Sequence, residues 1–170
     1  MTMEILTYPN PELAKKSVEV DEITPELKQL AKDMAATMYA SKGIGLAAPQ
    51  VGKLIRFVVV DVEDEETQGD PLFLVNPRIT HAEGSTEFEE GCLSVPEFRS
   101  KVSRKETVTV EALDLDGNPL TLEAEGLLAI CLQHEIDHLD GVLFIDKVSR
   151  LKRTFYDKKV KKWLRRGKGE

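Results

Sequence analysis

The stretch His134-Glu135-Ile136-Asp137-His138 decides how this chain is read, because it places two imidazoles and a carboxylate on one turn of a predicted helix. Residues four apart share a helix face, so both rings can reach one metal ion. The carboxylate next to the first ring is positioned to handle protons for a water activated there, which is hydrolytic machinery. The chain has only three histidines, so composition alone seldom produces two of them flanking a glutamate at this spacing. Leu127, Leu128, Ile130, Cys131, Leu132, Ile136 and Leu139 cover nearly every side of the turn, the mark of a buried helix. Unpaired polar groups in a core cost on the order of several kcal/mol, and a metal supplies the missing partners.

A catalytic metal takes three protein ligands and keeps one position open. No histidine follows His138, and no glutamate precedes Glu170 after it, so the third ligand comes from elsewhere. His81 sits beside Glu83 and Gly84 in a polar segment that reads as solvated. Cys131 lies on the same helix face as His134 but stands about 10 Å of helical rise from His138, too far for a short thiol to complete the set. Cys92, delivered from a separate extended segment, can reach both rings, and a metal would stabilise its thiolate.

Outward from the helix, the chain reads as an α+β fold of mostly antiparallel strands packed around a central metal-binding helix. Thr24-Pro25-Glu26 is a cap, a first helical residue and an acidic first turn, and Leu27, Leu30, Ala31, Met34 and Met38 follow at helical spacing to make an N-terminal helix that stops before Gly43. Strands are expected over Arg56–Val62, Leu72–Ile79 and Thr107–Leu115. Asp116-Gly117-Asn118-Pro119 is a turn with Leu120-Thr121-Leu122 as its hairpin partner. The acidic run Glu63 to Asp70 is a surface loop, and Glu87 to Val95 is extended. The run Gly43 to Gly52 reads equally as a tight connection or as a place where another chain approaches the backbone, with Gln50 offering an amide donor.

At 170 residues the chain is sized for a single domain. No apolar run approaches the roughly 20 residues of a membrane span and the first residues do not form a signal sequence, so a cytoplasmic protein is expected. The net charge of −7 is unevenly placed: from Lys147 onward, eleven Lys and Arg face two acidic residues, a balance of +9 that leaves −16 before it. The acidic body argues against general binding to DNA. The segment from about 148 to 170 reads as a basic C-terminal helix with Val148, Leu151, Phe155, Val160 and Trp163 as a narrow apolar stripe, either a solvated face or a patch for an anionic partner such as RNA.

Three stretches, Gly43-Ile44-Gly45-Leu46-Ala47-Ala48-Pro49-Gln50, Glu90-Gly91-Cys92-Leu93-Ser94 and Gln133-His134-Glu135-Ile136-Asp137-His138, resemble in order and spacing the three signature motifs of the bacterial peptide deformylases. The resemblance spans roughly the first 150 residues. It implies hydrolysis of the N-formyl group of N-terminal formylmethionine on nascent polypeptides, with release of formate. It implies Cys92, His134 and His138 as ligands of Fe2+, with Ni2+, Co2+ or Zn2+ able to substitute; tetrahedral N and S donors alone point to zinc. It implies Glu135 as the proton carrier and Gln50 with the Leu93 backbone N–H as oxyanion donors. The backbone of Ile44 and Gly45 would pair with the peptide, and Ile44, Phe88, Leu127, Ile130 and Cys131 would wall the methionine pocket. Glu90 and Arg99 are expected to pair nearby, and the basic helix is expected to dock on the ribosome. A peptidase sharing the metal helix, or a binding module with a structural metal, are the competing readings; the first lacks its downstream ligand and the second leaves Glu135 without a task.

Overall fold

The computed structural model describes residues 1–63 and 69–169, with side chains to Arg166. The expected acidic loop over 63 to 70 therefore falls mostly outside the described residues. The first helix, α1 (Pro25–Ala40), starts where Thr24 Oγ1 accepts the Leu27 N–H at 3.2 Å, and it buries Leu27, Ala31, Met34, Ala35 and Met38 along one face. The Gly43 N–H returns to the Met38 carbonyl at 2.9 Å and the Lys42 N–H to that of Tyr39 at 3.0 Å, the paired bonds that close a helix through a left-handed residue.

Strands β1 (Gly45–Ala47), β2 (Phe57–Val60), β3 (Leu72–Glu83), β6 (Thr107–Leu113) and β7 (Pro119–Glu125) form one antiparallel sheet in the order β1-β2-β3-β6-β7. Strands β4 (Thr86–Cys92) and β5 (Val95–Arg104) form a separate hairpin. The predicted turn appears as Asp114 Oδ1 accepting the N–H groups of Asp116 and Asn118, both at 2.9 Å.

Strand β2 explains the layering. All four of its residues are buried, and because successive side chains point to opposite faces, Val58 and Val60 pack on one side while Phe57 and Val59 pack on the other. The first pair meets Ala129, Leu132, Ile136 and Leu139 of α2 (Gly126–Leu139), and the second meets Leu27, Ala31, Met34 and Met38 of α1. Helix α2 is apolar nearly all round, as a helix enclosed on several sides must be. Gln133 ties it to the β5–β6 connection, accepting the Lys105 N–H and donating to the Lys105 carbonyl, both at 2.9 Å.

The last helix, α3 (Arg150–Gly169), corrects the sequence-based stripe. Tyr156 and Val160 are buried with Phe144, Ile145 and Val102, while Leu151 and Phe155 are 67% and 63% exposed. The packing face is turned by the aromatic group of Phe98, Tyr8 and Trp163 around Tyr156, whose hydroxyl donates to the Pro96 carbonyl at 2.7 Å. Among the described residues no helix is long and apolar enough to cross a membrane.

Candidate metal centre and groove

Helix α2 presents His134 and His138 on its face toward the hairpin, and β4 ends by delivering Cys92 to the same point. The ligand atoms of these three residues lie within 4.8 Å of one another, and Cys92 Sγ is 3.4 Å from His138 Nε2. Two donors sharing a tetrahedral cation stand about 3.5 Å apart, so the set has the right chemistry and compactness for one metal ion. Cys131 lies outside this set; its thiol points to the Ile44 carbonyl at 3.7 Å. His81 is exposed on β3, 2.7 Å from Glu83, in a strand rather than the polar turn expected for it.

Burial holds His138 well below the ordinary histidine range, favouring the neutral ring that can offer a lone pair. For His134 burial acts in the same downward direction but is outweighed by its bonds to Cys92 and Glu90, which raise it. Glu135 is pushed up to about 7, chiefly by burial. Its Oε1 is buried and has no hydrogen-bond partner among the described residues, an orphaned acceptor in the cavity that Cys92 and His134 also line. Such an atom in a native core calls for a partner that is not part of the protein. The donor set and this orphan together fit a bound cation with a water or substrate group next to it.

Behind the metal donors, Glu90 binds His134 Nδ1 at 2.9 Å and the Arg104 guanidinium twice at 2.8 Å, and Arg104 also reaches Asp137 at 2.6 Å. This corrects the expected Glu90–Arg99 pair. Arg99 is exposed and lies 3.9 Å from Glu89. Arg104 and Asp137 are therefore supports that the sequence reading missed, as is Ser94, which holds Gln50.

Gln50 is oriented unambiguously by its partners. Its Oε1 accepts the Ala47 N–H at 2.9 Å, so Nε2 points toward the centre, 3.0 Å from Ser94 Oγ and 3.7 Å from Cys92 Sγ. In front of these groups opens a cavity of about 560 Å³ lined by Ile44, Gly45, Gln50, Phe88, Cys92, Leu93, Leu127, Ile130, Cys131, His134 and Glu135. Of the residues that the resemblance implies for the site, all but His138, which is buried, line this space. One side of the cavity is β1, the edge strand of the sheet. The Ile44 carbonyl already accepts the Asp61 N–H at 2.8 Å, so by antiparallel alternation the open edge belongs to the backbone of Gly45 rather than to Ile44. A Cβ at Gly45 would sit 2.5 Å from Glu135 Oε2 and 2.8 Å from Cys131 Sγ, so a side chain there would force these groups to shift.

A thiol and two imidazoles converge near a buried carboxylate in a groove with an open strand edge, a donor set that could hold one metal ion in an enzyme of the hydrolase class. The chain belongs to the polypeptide deformylase family, whose model matches residues 2–154. It is 51% identical over 159 residues to the peptide deformylase of Thermodesulfovibrio yellowstonii, a match covering 94% of this chain and 96% of that protein. Its fold is similar to that of the crystal structure of a peptide deformylase from Legionella pneumophila, with a TM-score of 0.91 and 44% identity over 100% of this chain and 99% of the other. It is also similar to the peptide deformylase of Ehrlichia chaffeensis in complex with actinonin, with a TM-score of 0.89 and 40% identity over 95% and 96% of the two chains.

Proposed function

We propose that this chain removes the N-formyl group from N-terminal formylmethionine of nascent polypeptides and releases formate, and that all 170 residues serve this as one domain. The observation that carries the reading is the convergence of Cys92, His134 and His138 beside the partnerless Oε1 of Glu135. These three residues would hold a divalent cation, Fe2+ by family resemblance with Ni2+, Co2+ or Zn2+ able to substitute, which when bound supplies Lewis-acid polarisation of the formyl oxygen and of a water.

The protein's own groups do the rest. Glu135 takes the proton of the attacking water, whose oxygen bonds to the formyl carbon. As the carbon–nitrogen bond breaks, Glu135 returns a proton to the departing amine. Gln50 Nε2 and the Leu93 backbone N–H donate to the oxygen that gains charge, and the Ala47 and Ser94 contacts keep Gln50 fixed before the reaction begins. Glu90 holds His134 by its Nδ1 and leaves Nε2 for the cation. The open edge of β1 at Gly45 pairs with an extended peptide, a mode that demands little of the peptide's sequence and suits a catalyst serving many chains. The methionine side chain enters the apolar pocket of Ile44, Phe88, Leu127, Ile130 and Cys131.

On this reading the protein works in the cytoplasm beside the translation machinery. Docking of α3 on the ribosome is supported by its exposed Leu151 and Phe155 set among lysines and arginines. The test of function is formate release by the metal-loaded protein from a formyl-methionyl peptide, compared with peptide-bond cleavage in the unformylated peptide. Release of formate alone supports the proposal. Internal cleavage without formate would mean a peptidase.

A further inference from the structure

Among the described residues, three other than glycine occupy the left-handed backbone region: Lys42 at φ 58°, Asn76 at φ 52° and Glu97 at φ 59°. Asn76 has a structural reason, since its side chain pairs with both the N–H and the carbonyl of Val20. Lys42 and Glu97 have no such bond, and both line the groove in front of the metal centre. Lys42 stands where a helix usually ends on glycine, a backbone conformation that a side chain makes less favourable.

Position along the groove shows what Lys42 faces. Gly45 abuts Glu135 and so marks the reacting end. Lys42 stands in the turn before β1, three residues ahead of Gly45, and lines the same groove. Because Lys42 and Ile44 line one groove, a peptide with its methionine beside Ile44 is expected to bring the residues that follow toward Lys42. The other cation on the rim, Arg99, is engaged by Glu89. Lys42 is exposed and has no hydrogen-bond or ion-pair partner among the described residues. Glu97 belongs to the opposite, α3 side, where its charge acts on Tyr156.

We infer that Lys42 is a specificity-determining residue that favours formyl-methionyl peptides carrying an acidic side chain at the second or third residue. The inference rests on the deformylase reading of the groove. The ammonium attracts the carboxylate without touching the reacting atoms, so the effect falls on the preference among substrates.

The test uses the metal-loaded full chain and matched formyl-methionyl tetrapeptides with Glu, Gln or Lys at the second or third residue. At low salt the ratio of kcat/KM for Glu over Gln is expected to be about two to five, the range of an exposed charge pair. In Lys42→Ala the ratio falls to about one, and in Lys42→Glu the preference passes to the Lys peptide, both with formate still released from the Gln peptide. Lys28→Ala, which removes the same charge about 20 Å away in the first turn of α1, is expected to leave the ratio unchanged. A wild-type ratio of one, an unchanged ratio in the Lys42 variants, or an equal effect of Lys28→Ala overturns the role of Lys42 while leaving the deformylase reading intact. Absence of formate from every peptide overturns that reading itself.

Discussion

Glu90 grips the Arg104 guanidinium through both carboxylate oxygens at 2.8 Å, and the same Oε1 reaches His134 at 2.9 Å. One buried carboxylate thus joins a strand-borne cation to the His134 ring on a helix. The arginine offsets the carboxylate's loss of water: although burial pushes Glu90 up, its bonds to Arg104 and His134 hold it below the usual carboxylate value. Replacing Arg104 by methionine leaves that charge without its partner, and removing one member of a buried pair typically costs about 3–5 kcal/mol. The expected result is a large drop in the urea midpoint of Arg104→Met together with weaker metal affinity. Arg99→Ala, which removes an exposed side chain paired with exposed Glu89, leaves the midpoint near that of the parent protein. Equal effects of the two variants would return the support to Arg99.

Gly45 and Glu135 are in such close apposition that a single methyl group should act on catalysis without touching a ligand. In Gly45→Ala the added Cβ meets Glu135 Oε2 at 2.5 Å, so the carboxylate must shift from its position in the groove. Glu135→Ala removes it outright. Formate release is expected to fall roughly 10²- to 10⁴-fold in Glu135→Ala and substantially in Gly45→Ala. Metal content, measured by elemental analysis, stays at parent level in both. Near-normal turnover in Glu135→Ala would exclude it as the proton carrier.

How far these features could be read from the chain alone depended on whether they were local. Helix α1 was legible because Thr24, Pro25 and the spacing of Leu27, Ala31, Met34 and Met38 carry its start and its face within a few residues. The pair on α2 was legible for the same reason, since one helical turn fixes the relation of His134 to His138. The partner of Glu90 was not. In the hairpin Glu90 opposes Ser100, so Ser100, Val102 and Arg104 point inward with it while Arg99 and Lys101 point out. That register shifts at an irregularity between Gly91 and Cys92, which no local pattern announced. On α3 the sequence carries two apolar rows, and only the distant aromatic group of Tyr8, Phe98 and Phe144 decides which one is buried.

The two cysteines separate ligation from packing. Cys92→Ala takes a donor from the set and leaves two imidazoles, so metal content and activity are both expected to fall sharply. Cys131 is 4% exposed and burial raises its thiol well above the ordinary value, so it behaves as a small apolar side chain at the pocket wall. Cys131→Ala is expected to keep the metal, lower stability modestly and widen tolerance at the methionine position. Metal stoichiometry on both variants under anaerobic conditions decides between the thiols, and full occupancy in Cys92→Ala with loss in Cys131→Ala would reverse their roles.

Truncating the tail cannot test ribosome docking cleanly, because residues 152 to 170 include Tyr156 and Val160, which are part of the core. The two faces of α3 allow a sharper experiment. On the inner face, Tyr156→Ala removes a buried ring and its hydrogen bond to Pro96, with an expected loss of roughly 3–5 kcal/mol read from urea denaturation. On the outer face, Leu151→Ser and Phe155→Ser remove exposed apolar groups and should leave the denaturation midpoint and the turnover of a short formylated peptide nearly unchanged. If this face docks on the ribosome, the same double variant cosediments more weakly with ribosomes, and its basic surroundings make the remaining binding fall steeply as salt is raised. Parent-level cosedimentation of the double variant, with the same salt dependence, would leave Leu151 and Phe155 as ordinary exposed side chains and remove the structural support for docking through this face.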